Sequence, residues 1–68
     1  MTDQQQVNDI KARLVTIVDD AERILADCTD PHDDLDVATR AHTRSILTHS
    51  VSALAILAKV DGALKGPR

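Results

Sequence analysis

The chain has no phenylalanine, tyrosine or tryptophan among its 68 residues. Any core must therefore be built from aliphatic side chains, and stacking of nucleic-acid bases on aromatic rings is excluded. There is one cysteine, Cys28, which cannot close an intrachain disulfide, and the three histidines do not combine with it at structural-zinc spacing. Domains this small usually draw on disulfides, a metal or association with another chain. Only the last of these remains. Positive charge is also short: eight basic residues stand against eleven acids, a net charge of −3, which argues against phosphate binding by a concentrated basic face. With two glycines there is no glycine-rich phosphate loop. Uninterrupted apolar runs fall far short of the roughly 20 residues of a membrane span. The opening MTDQQQVND is polar and lacks the basic-then-apolar plan of a signal peptide. These absences lead to the expectation of a cytoplasmic protein with a reduced thiol and no membrane contact.

What is present is apolar periodicity. Hydrophobic residues make up 43% of the chain and charged residues 28%, a globular rather than a disordered balance. Thr2, Asp3, Gln4 and Gln5 read as a capping box opening a first helix over about 3–28. Apolar residues then alternate at three and four: Val7, Ile10, Leu14, Ile17, Ala21, Ile24 and Cys28, with Val18 and Leu25 widening the seam. Asp9 with Arg13 and Asp19 with Arg23 are spaced for helical ion pairs on the opposite face.

CTDPHDD (28–34) carries start signals for a second helix. The expected arrangement is Asp30 as N-cap, Pro31 at the first helical position, and acids at 33, 34 and 36 facing the positive end of the dipole. A connection of about three residues forces an antiparallel hairpin. The second helix is expected over about 31–64, with the tail at 65–68 disordered. The predicted fold class is thus all-α, one helical-hairpin domain over 1–68.

Two seams run along the second helix. Leu47, Leu54, Leu57 and Leu64 are predicted to pack on Val7, Ile10, Leu14, Ile17 and Ile24 as the hairpin core. Leu35, His42, Ile46, His49, Ala53, Ile56 and Val60 form the other seam, which one partner helix cannot cover. The economical cover is a second copy, giving a homodimeric four-helix bundle, with a foreign helix as the rival. Asp36, Arg40 and Thr43 are polar where the first seam would continue, so a break near 40–45 and a three-helix layout is the alternative fold.

For chemistry the candidates are few. His42 and His49 share a face but are about 10 Å apart along the axis, too far for one ion within a chain. If buried and neutral in a dimer, they would weaken it as pH falls below about 6, near the reference imidazole value. Cys28 and His32 could form a nucleophile–base pair, but no oxyanion donors accompany them. DPHDDLD lacks the alternating acids, central glycine and closing glutamate of a calcium loop. Arg40 and Arg44 lie one turn apart and are the candidate contacts in an alternative reading as a nucleic-acid-binding dimer. In hairpin length and turn the chain is similar in architecture to small dimeric RNA-binding bundles of plasmid copy control. No matching basic face is evident, so that likeness reaches geometry and not function.

The functional expectation is a small non-enzymatic protein, needing no cofactor or metal, that oligomerises and acts by binding a protein partner as regulator, adaptor or inhibitor. A metal or catalytic site at Cys28/His32 or His42/His49 is the least favoured reading.

Overall fold

A computed structural model describes residues 2–66. Two helices, α1 (Asp3–Asp27) and α2 (Asp34–Lys65), pack antiparallel, and no strand occurs among the described residues. α1 begins as its capping box dictates. Thr2 Oγ1 accepts from the Gln5 N–H at 3.1 Å, and Gln5 Oε1 accepts from the Thr2 N–H at 2.9 Å. Two of the helix's orphan donors are thereby satisfied.

The turn is longer than the proline suggests. Cys28 to Asp33, six residues, separate the helices, and α2 starts at Asp34 rather than Pro31. Asp30 is not the N-cap. Its carboxylate accepts from the His32 N–H at 2.9 Å, a local turn around Pro31. The cap is Asp33, whose Oδ1 accepts from the Leu35 N–H at 2.9 Å while its carbonyl takes the Val37 N–H at 3.0 Å. Asp33 and Asp30 both suit a cap chemically, and the later one wins because the chain needs the intervening residues to reverse direction.

α2 is continuous over 32 residues, about 48 Å, so the three-helix alternative does not hold. It runs through Gly62 without a break, and Gly66 is its C-cap. Of the expected tail, Lys65 is the last residue of α2 and Gly66 its C-cap, while residues 67–68 lie outside the described residues.

The polar residues that argued for a break stay in the seam and hold the turn. Asp36 Oδ2 accepts from the Asp30 N–H at 3.2 Å. Arg40 Nη1 donates to the carbonyls of Leu25 at 2.7 Å and Cys28 at 3.1 Å, occupying acceptors that the end of α1 leaves open. Asp36 and Arg40 are thus spent on the turn instead of on each other.

At the open end, Gln4 Nε2 donates to Asp61 Oδ1 at 2.6 Å, and Lys65 Nζ sits 3.3 Å from the same carboxylate. The hairpin is stapled at both ends by polar contacts and filled between them by a thin apolar seam. That seam is made of Val7, Leu14, Val18, Ala21 and Leu25 against Leu47, Ser50, Leu54 and Leu57, all buried or half-buried. Among the described residues, only Val7 and Ala21 of the apolar and Thr43 and Ser50 of the polar side chains are buried, and none is completely enclosed.

Candidate association face

Both helices follow a heptad, and its positions decide which residues face outward. The buried line of α1 is Gln4, Val7, Lys11, Leu14, Val18, Ala21, Leu25 and Cys28. It shares every second member with the expected seam, but Lys11, Val18 and Leu25 take the places expected for Ile10, Ile17 and Ile24. Those three isoleucines are each at least 40% exposed and do not belong to the hairpin core. Leu64 is likewise exposed, at the last turn of α2. The physical reason is a rotation of α1 by one position. With Gln4 bound to Asp61, the helix turns its long polar side chains into the seam's ends and its isoleucines to the flank.

On the same flank α2 presents Thr39, Ile46, Ala53 and Val60, and one line further out Leu35, His42, His49 and Ile56. Ile17 and Ile24 of α1 meet Ile46 of α2 across a shallow groove of about 240 Å³ floored by Ala21 and Thr43. The residues expected at a subunit contact and the misassigned isoleucines are thus one surface. Ile46, Ile56 and Val60 are exposed like the α1 isoleucines, and Leu35 is the most exposed large apolar residue. Exposed apolar residues clustered on one face mark a candidate interaction surface. The opposite flank holds exposed Val15, Val37, Val51 and the alanines Ala41, Ala55 and Ala58, interleaved with Glu22, Arg44 and Thr48.

The histidines lie within the face. His49 Nδ1–H donates to the Ser45 carbonyl one turn earlier at 2.8 Å. His42 is exposed one helical step of seven residues toward the turn. Among the described residues, no three His, Cys, Asp or Glu side chains gather as metal ligands.

Cys28 ends α1 with its N–H on the Ile24 carbonyl at 2.9 Å. Partial burial, and then the charges of Asp36 and Asp27, push its thiol above the usual range. A thiol so placed is a poor nucleophile. Arg40, one of the two candidate nucleic-acid contacts, has Nη1 committed to the turn. Arg44 is exposed beside it, and both line a groove of about 300 Å³ with Thr29, Pro31, Val37 and Ala41.

The expectation that nothing here is apolar enough for a membrane span needs correction. α2 contains an 18-residue window of mean hydropathy 1.3, long and apolar enough to cross a bilayer by length and composition, with 6% of it buried. Counting uninterrupted runs missed this because single Ser, Thr and His residues interrupt a run without lowering the window mean much. Mostly buried core helices of soluble proteins and signal sequences pass the same test.

No protein-family model, curated protein or solved structure matches the chain.

Proposed function

We propose that the chain is a non-enzymatic, self-associating helical hairpin of the cytoplasm. Two copies bury the Ile10/Ile17/Ile24 and Ile46/Ala53/Ile56/Val60 face in a four-helix bundle, and the assembled bundle acts by binding a protein partner. The observation that carries this reading is the single apolar face shared by both helices, set beside a hairpin seam with no completely enclosed side chain.

Areas support it. The chain exposes 5103 Å², whereas a folded monomer of its 7.4 kDa exposes about 4,200 Å². The surplus of about 900 Å² is close to the roughly 800 Å² that each partner buries in a standard interface. The rod shape, 56 × 19 × 13 Å, is the geometric source of that surplus. Laying two rods side by side is the simplest way to remove it.

Sedimentation equilibrium read by interference optics tests the reading, since the chain lacks aromatic absorbance. The expected result is a dimer mass over the micromolar range without lipid. A folded monomer at those concentrations, or a chain that floats with phospholipid vesicles instead of pairing, would contradict it.

A further inference from the structure

We infer that the two copies associate antiparallel, with their turns at opposite ends of the bundle. This inference rests on the self-association proposed above and adds the orientation of the partner. Its basis is an uneven charge distribution along the rod.

Gln4 bonded to Asp61, and Ala21 beside Thr43, place the rod's midpoint near residues 15 and 50. The half nearer the turn, residues 16–49, carries eight acids and three arginines, a net charge of −5. The open half, residues 2–15 and 50–66, carries three acids (Asp3, Asp9, Asp61) and four bases (Lys11, Arg13, Lys59, Lys65), a net charge of +1. A two-fold along the rod would set the two acidic halves beside each other. A two-fold across the rod sets each acidic half beside the open, near-neutral half of the second copy. Like charges brought side by side oppose association, and opposite potentials favour it.

The edge of the face repeats the pattern locally. Toward the open end α1 borders the face with Arg13, and toward the turn with Asp20 and Asp27. In the crossed arrangement α1 lies on the second copy's α1. Arg13, paired with Asp9 at 3.1 Å in its own helix, comes near Asp20 of the other copy, which lies 3.8 Å from its own Arg23, so the edge adds a charge network to the contrast between the two halves. α2 lies on α2 there, with Ile46 opposite the small Ala53 of its mate, a large-to-small match that suits close helix packing. His49 is the residue of the apolar line nearest the midpoint and meets its own mate.

The test is a dipolar distance between spin labels in the intact chain. In a Cys28→Ser background, Thr29→Cys labels the turn end and Gly62→Cys the open end. Gly62 accepts a side chain freely, since nothing lies within 4 Å of an added Cβ. For both sites the antiparallel dimer gives roughly 40–50 Å, most of the rod's 56 Å length. Turns at the same end give about 20 Å, comparable to the 19 Å width, and that result overturns the orientation while leaving self-association standing. A monomer mass with no dipolar modulation at either site overturns the self-association itself.

Discussion

Replacing Arg40 by alanine removes a side chain that hydrogen-bonds the end of α1 to α2. Its Nη1 donates to two carbonyls, at 2.7 and 3.1 Å, that α1 cannot satisfy internally. Hydrogen bonds from a charged donor contribute about 1.5–3 kcal/mol each. Both carbonyls sit at a half-exposed helix end, where water replaces much of what is lost, so the expected cost is about 1–2 kcal/mol for the pair. For a domain of this size each kcal/mol moves the melting midpoint by roughly 4–8 °C. Arg40→Ala should therefore melt on the order of 5–15 °C lower, followed by circular dichroism at 222 nm at one fixed protein concentration. Arg44→Ala is the control: its side chain is exposed, so its loss should shift stability by less than about 0.5 kcal/mol. Equal melting of Arg40→Ala and the parent chain would refute the role given to Arg40 in closing the hairpin.

The other titratable staples give two further predictions. The Gln4 hydrogen bond, helped by Lys65, holds the Asp61 carboxyl below its usual value despite partial burial. Asp61 therefore contributes stability that is complete above the unfolded carboxyl value of about 3.9 and is lost as pH falls through the lower folded value. Carboxyl-carbon NMR titration should show Asp61 as the more acidic of a folded–unfolded pair, and a folded value at or above the ordinary one would sink the staple. Cys28 has the opposite sign, its thiol raised by burial and by Asp36. Alkylation by iodoacetamide at neutral pH should be slower in the folded chain than in urea, and equal rates would show the thiol to be free of both influences.

Much of the fold was legible because its signals are local. Thr2 with Gln5 announces α1, the three-and-four alternation announces two helices, and a turn around Pro31 makes them antiparallel. The rotation of α1 was not legible. Val7, Leu14, Ala21 and Cys28 belong equally to two heptad lines, and apolarity alone prefers the one completed by Ile10, Ile17 and Ile24. The structure takes the line completed by Lys11, Val18 and Leu25, which also carries Gln4, and the Gln4–Asp61 bond across the hairpin is a long-range contact that periodicity does not encode. Propensity likewise favoured Asp30 as the N-cap, but the geometry of reversal placed the cap at Asp33. The candidate site was legible in half. The α2 line from Leu35 to Val60 could be read from the sequence, while the isoleucines of α1 that continue it became visible only once the hairpin was closed.

The central claim is that this face pairs with its own copy, and sedimentation equilibrium of three chains tests it most directly. The parent chain should sediment at twice 7.4 kDa. Ile46→Asp, at the centre of the face, should sediment as a single chain, and Val51→Asp, on the opposite flank, should remain paired. A parent chain that stays at 7.4 kDa while folded, or an Ile46→Asp chain that pairs as tightly as the parent, would contradict the account.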